Sequence, residues 1–121
     1  MRAKVEAVTR EILLAFWKVH ILHHAAEGEL YGQWIMAELR RHGYEISPGT
    51  LYPLLRRMER HGWLKRKSHK NNGPRARQNY VLTETGRIVL RLVRKQVTEM
   101  HREVVRRGDK SGAHDVRRSK R

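Results

Sequence analysis

Between Val5 and Ala26 apolar residues recur at helical spacing, and Val5, Val8, Ile12, Phe16 and Val19 share one face. Leu13, Leu14, Trp17, Ile21 and Leu22 spread apolar surface around most of the rest. A helix apolar nearly all round must be buried on more than one side. One small domain supplies one side, and a second subunit can supply the other. "EGELYG" breaks the pattern, with Gly28 as the stop. A second helix is expected over Tyr31–His42, with Tyr31, Ile35 and Leu39 on its inner face. Arg40, Arg41 and His42 suit the negative end of its dipole, and Gly43 suits the position just beyond it.

After the short turn "GYEI", Ser47 is expected to cap a third helix, with Pro48 at its first position. Leu51, Leu54, Leu55 and Met58 form its buried stripe, and Gly62 ends it. Stepping about 100° per residue from Leu51 places Gly49, Pro53, Arg56 and Arg60 on the opposite side, with Tyr52 and Arg57 on the flanks. A proline inside a helix costs about 3 kcal/mol. The cost falls if this helix begins nearer Thr50, where the missing N–H would have had no partner.

"WLKRKSHKNNGPRARQNYVLT" reads as a hairpin, with turn chemistry at Asn72-Gly73-Pro74 between two extended runs. It carries Lys65, Arg66, Lys67, Lys70, Arg75 and Arg77 and no acid before Tyr80. Thr83 can cap a last helix that runs to about Arg107. On that helix Leu90, Val93, Val97, Met100 and Val104 follow a coiled-coil-like seam, which predicts a homodimer. Val89 and Leu92 form a separate apolar set, available for packing on the helix's own domain. The expected organisation is a DNA-binding domain over 1–82, a dimerisation helix over 83–107 and a disordered basic tail over 108–121.

Helix, helix, short turn, helix and basic hairpin make a mainly α fold with a small β-hairpin, a winged helix-turn-helix. Charge gives the fold a partner. Lys and Arg number 27 against 12 acidic residues, a net charge of +15, and such an imbalance favours a polyanion. The absence of cysteine excludes disulfides and thiolate metal sites. The first residues lack signal-peptide character and no run is long enough to span a bilayer, so a soluble, cytoplasmic protein with no membrane partner is expected.

Candidate DNA-binding residues follow from the outer side of the third helix and from the wing. They are Ser47, Gly49, Thr50, Tyr52, Pro53, Arg56, Arg57 and Arg60 on the helix, with Lys70, Arg75 and Arg77 around the hairpin turn. Gly49 and Pro53 leave no long side chain at the helix tip, which lets it approach a phosphate or a base edge. The expected partner is double-stranded DNA with a two-fold operator. The competing reading is an architectural or other nucleic-acid binder without sequence preference.

"SPGTLYPLLRRMERHGWL" followed by "YVLTETGR" resembles the PadR family of bacterial winged-helix transcriptional regulators. The recognition helix of that family typically reads Gly-Thr-Leu-Tyr-Pro before Leu-Leu, matched by Gly49 to Leu55. Its strand-to-helix junction typically reads Tyr-x-Leu-Thr-x-x-Gly, matched by Tyr80 to Gly86. The resemblance covers roughly residues 8–107. It implies a homodimeric repressor whose DNA affinity responds to a small-molecule effector. The second helix departs from the family's frequent His-Gly-Tyr opening, with Tyr31-Gly32-Gln33 before Trp34. With one helix after the wing, the chain is expected to be a short member. Flat-ligand sites in the family point to Trp17 and Trp34 as a candidate effector pocket at the dimer interface, although packing in the core is the expected role of each alone.

"HILHH" places His20, His23 and His24 within one helical turn. The spacing of His20 and His24 can hold a transition metal, but no carboxylate or cysteine ligand stands beside them in the sequence. Helical histidine pairs are more often packed or solvated, so neither a metal nor a cofactor is assigned. No catalytic motif is present, and an enzyme is not expected.

Overall fold

The computed structural model describes residues 2–67 and 79–110. Helix α1 spans Arg2–Glu27, strand β1 Leu30–Tyr31, helix α2 Gly32–Arg41 and helix α3 Pro48–Arg60. Strands β2 (Leu64–Lys67) and β3 (Asn79–Leu82) follow, then helix α4 (Glu84–Met100). A π-helical stretch, His101–Arg106, leads into the short helix α5, Arg107–Lys110. The chain divides into two compact units, Met1–Leu90 and Arg91–Arg121. The first turns of α4, through the buried Leu90, therefore belong to the first unit. Most of the expected tail lies outside the described residues.

Helices α2 and α3 end on the same tripeptide, Arg41-His42-Gly43 and Arg60-His61-Gly62. Both glycines take positive φ, +96° at Gly43 and +82° at Gly62. The next amide reaches back to close the helix: Tyr44 N–H donates to Leu39 O at 3.1 Å and Trp63 N–H to Met58 O at 3.0 Å. A side chain would strain either position. The chain therefore leaves α2 toward α3, and α3 toward the wing, through the same left-handed turn. Arg40 Nε donates to Ile46 O at 3.2 Å and pins the turn between α2 and α3.

The core of the first unit lies where these elements meet. Trp17, Ile21, Leu22 and Ala25 enter from α1, Ile35 and Leu39 from α2, and Leu51, Leu54, Leu55 and Met58 from α3. Leu64, Tyr80 and Leu82 add one face of the sheet. The stripe expected on α3 is the buried face in full. On α1 the buried side is that of Trp17 and Ile21, while Ile12 and Phe16 are exposed.

The hairpin pairs as expected, antiparallel, with Leu64 opposite Leu82 and Lys67 opposite Asn79. The sequence pattern missed β1, which adds a third strand on the far side of β3, with Leu30 opposite Tyr80. Two residues are too short to show alternation, and only the partner strand makes them a strand. Tyr31 therefore leaves the inner face expected of it and is exposed, while Ile35 and Leu39 are buried.

Three local expectations also change. Ser47 occupies the cap position of α3, but its side chain makes no cap bond. Its carbonyl instead accepts the N–H groups of Thr50 (3.0 Å) and Leu51 (2.9 Å). With Pro48 already helical, Pro53 lies inside the helix rather than in its first turn. The carbonyl that Pro53 has no N–H to serve belongs to Gly49, an exposed residue that water can reach. Leu92 is exposed rather than packed, whereas Val89 packs against the core. Thr83 does cap α4, accepting Gly86 N–H at 2.9 Å, and its hydroxyl also bonds the carbonyls of Gly62 and Trp63.

Candidate nucleic-acid interface

Burial of one stripe of α3 leaves its other face to solvent. Ser47, Gly49, Arg56, Arg57 and Arg60 are exposed, and Thr50, Tyr52 and Pro53 are half-buried. Lys65, Arg66 and Lys67 continue the basic surface onto β2. Arg66 Nε lies 3.7 Å from Glu59 Oε2, a solvent-screened pair of little energetic weight. Lys70, Arg75 and Arg77 fall outside the described residues.

Two side chains at the tip of α3 are held from other helices. Arg10 on α1 donates from Nη2 to Thr50 Oγ1 at 3.1 Å, and Ser47 Oγ donates to the same oxygen at 3.4 Å. Accepting both leaves the Thr50 hydroxyl its own proton to donate. Sequence reasoning missed Arg10, and no local signal could reveal a partner forty positions away. The Tyr52 ring lies against Gly32, the first residue of α2. A Cβ at position 32 would stand 2.6 Å from Tyr52 Cε1. The departure from the family pattern thus keeps the glycine that seats this ring.

Of the seam residues, Leu90 is buried in the core of the first unit, and Val93 is half-buried. Val97, Met100 and Val104 are exposed. Trp17 is buried and borders a cavity of about 550 Å³ with Arg10, Leu13, Tyr44 and Thr50. Its indole Nε1 has no hydrogen-bond partner among the described residues. Trp34 does not line that cavity; it is 47% exposed and meets His24 edge-on at 5.2 Å.

A second polar cluster joins α1 to the end of α2. His20, His24 and His42 each bring a ring nitrogen within 4.8 Å of the others. Glu38 Oε2 lies 3.1 Å from His42 Nε2 and accepts from Arg41 Nη2 at 2.7 Å. The Arg41 hydrogen bond holds the Glu38 carboxyl below its ordinary range. Burial, reinforced by the neighbouring His42, His24 and His23, pushes the His20 imidazole down, toward its neutral form.

An exposed, basic third helix after a glycine turn, followed by a basic antiparallel hairpin, defines the winged helix-turn-helix class. The Transcriptional regulator PadR-like family matches residues 21–92. Transcriptional regulator Rv3488 of Mycobacterium tuberculosis is 47% identical over 96 residues, which cover 79% of this chain and 89% of that protein. A PadR family transcriptional regulator from Eggerthella lenta aligns with a TM-score of 0.63 and 29% identity, over 86% of this chain and 94% of that one. The fold of the putative transcriptional regulator TA0346 from Thermoplasma acidophilum aligns with a TM-score of 0.68 at 20% identity, over 84% of this chain and 97% of that one. The chain belongs to the PadR-like family of transcriptional regulators, and its chemistry is DNA binding. Among the described residues no helix is long and apolar enough to cross a membrane.

Proposed function

We propose that this regulator is a sequence-specific repressor that binds a two-fold operator as a homodimer and is released by a small effector. The observation that carries the DNA reading is the division of α3: Leu51, Leu54, Leu55 and Met58 are buried while Arg56, Arg57 and Arg60 stand free of the core. Burial fixes how the helix sits, so its outer residues are presented in one orientation. Thr50, Tyr52 and Arg56 face base edges, and Arg57, Arg60 and the wing neutralise phosphates.

Dimerisation is supported by apolar surface that each unit leaves uncovered. Ile12 and Phe16 stand one turn apart on α1 and are exposed, as are Val97 and Met100 on α4 and Val104 in the π-helical stretch that follows. Exposed stripes of this kind mark contacts with a partner. A homodimer places two recognition helices on one side of a duplex, about one helical turn apart.

The test is a titration against an inverted-repeat operator from the upstream region and against its scrambled duplex, at several salt concentrations. A repressor of this kind prefers the operator by about 10³-fold or more. Equal affinity for both would return the protein to the architectural class.

A further inference from the structure

We propose that His20, His24 and His42 form a binding site for a divalent transition-metal ion such as zinc, and that this ion is the effector. The sequence shows only a histidine pair on α1. The fold supplies the third imidazole from the C-terminal cap of α2 and brings Glu38 beside it.

Oxygen groups already lie against each of the three rings. His24 Nδ1 lies 3.1 Å from Glu27 Oε1 and His42 Nε2 lies 3.1 Å from Glu38 Oε2. His20 Nε2 lies 3.4 Å from the Tyr44 hydroxyl. His24 Nε2 also lies 3.8 Å from Glu38 Oε2, so the Glu38 carboxylate faces both His24 and His42. A carboxylate only accepts, so it orients the imidazoles around it. Histidines that bind metals are commonly oriented by a neighbouring carboxylate or other oxygen group.

Donor chemistry selects the ion. Three imidazoles suit zinc, cobalt and nickel over magnesium or calcium, which require oxygen. Zinc–nitrogen bonds of about 2.0–2.1 Å place tetrahedral donors roughly 3.4 Å apart. One ring nitrogen of each histidine lies within 4.8 Å of the other two, so small ring rotations close the site and leave a fourth position for water. Glu27 and Glu38 bring negative charge to balance the ion.

The position of the site gives it a route to DNA. His42 immediately precedes Gly43, the left-handed residue that turns the chain toward α3. An ion shared by α1 and His42 fixes the start of that turn. This regulatory role rests on the DNA-binding reading above, whereas metal binding does not.

Titration of the full, tag-free chain with zinc chloride tests the site. Calorimetry should show one ion per chain, and cobalt chloride should give the visible absorption of a low-coordinate Co²⁺ complex. His42→Ala, a substitution at a 40% exposed side chain, should keep the helical circular dichroism yet weaken zinc binding by about 100-fold. Glu27→Gln should weaken it by about tenfold, as loss of an orienting partner does. His23→Ala should leave binding unchanged. Absence of saturable binding overturns the site, as does a His42→Ala chain that binds zinc like the wild type. Zinc should then shift operator affinity in the wild type and leave His42→Ala unaffected. Zinc binding with no such shift overturns the effector role alone, and operator binding measured without zinc tests the DNA reading separately.

Discussion

The Tyr52 ring on α3 lies against Gly32 at the start of α2, so closely that a Cβ at position 32 would stand 2.6 Å from Tyr52 Cε1. This contact joins the two helices of the motif near the N-terminal end of α3, the end proposed to meet DNA. It gives Tyr52 a second function beside any contact with the duplex, because its ring sets how α3 lies on α2.

Gly32→Ala should therefore destabilise the fold by about 1–3 kcal/mol through overpacking. In a Tyr52→Ala background the methyl group has room, and most of that loss should vanish. Urea unfolding of the four proteins measures the coupling, expected within about 0.5–3 kcal/mol. Additive effects would show that ring and glycine do not constrain each other.

Gly86 meets a harder obstacle, because a Cβ there would overlap the backbone carbonyl of Trp63. A backbone oxygen cannot swing aside as a side chain can. Gly86→Ala should cost about 3 kcal/mol or more, whereas Gly28→Ala, facing open space, should stay within about 0.5 kcal/mol. Thermal melts of the two variants give the comparison, and equal melting temperatures would contradict the packing described at Trp63.

At the proposed dimer interface, replacing Val97 and Met100 together by Glu brings like charges onto both faces of the contact. Sedimentation should then report monomer, and operator affinity should fall because one recognition helix holds one half-site. Both residues are exposed in the single chain, so the monomer should retain its helical signal. A persistent dimer would place the interface elsewhere.

Arg56→Ala distinguishes two roles for the arginine on the outer face of α3. Guanine recognition predicts a loss of about 1–3 kcal/mol on the operator and relaxed choice at one base pair. Phosphate binding predicts equal weakening on operator and scrambled duplex, with the salt slope reduced by about one. We expect the first for Arg56 and the second for Arg60, which lies a turn further from the helix tip.

Arg10→Ala removes the donor that α1 extends to Thr50. The exposed side chain carries little of the fold, so stability should stay within about 0.5 kcal/mol. Operator preference should nevertheless drop, because Thr50 loses the partner that orients its hydroxyl. Affinity ratios on operator and scrambled duplex measure this, and an unchanged ratio would leave Arg10 with no role in reading.

By itself the sequence determined whatever an element carries within its own turns. The stripe from Leu51 to Met58 defined the buried side of α3, and thereby its outer arginines. The glycines after Arg41-His42 and Arg60-His61 fixed both helix ends, and Thr83 fixed the start of α4. Helical and strand periods act over a few residues, so these features are local and legible. The motif from Gly49 to Leu55 and the junction from Tyr80 to Gly86 named the family for the same reason. Tertiary structure alone decided which distant positions share a site. Pairing with β3 turned Leu30–Tyr31 into a strand and sent Tyr31 outward. Packing of α1 across α2 brought His42 to His20 and His24, and the closing of the fold brought Arg10 on α1 to Thr50 on α3. Such contacts arise when buried faces close against one another, and the spacing of residues along one helix holds no record of what lies across from it.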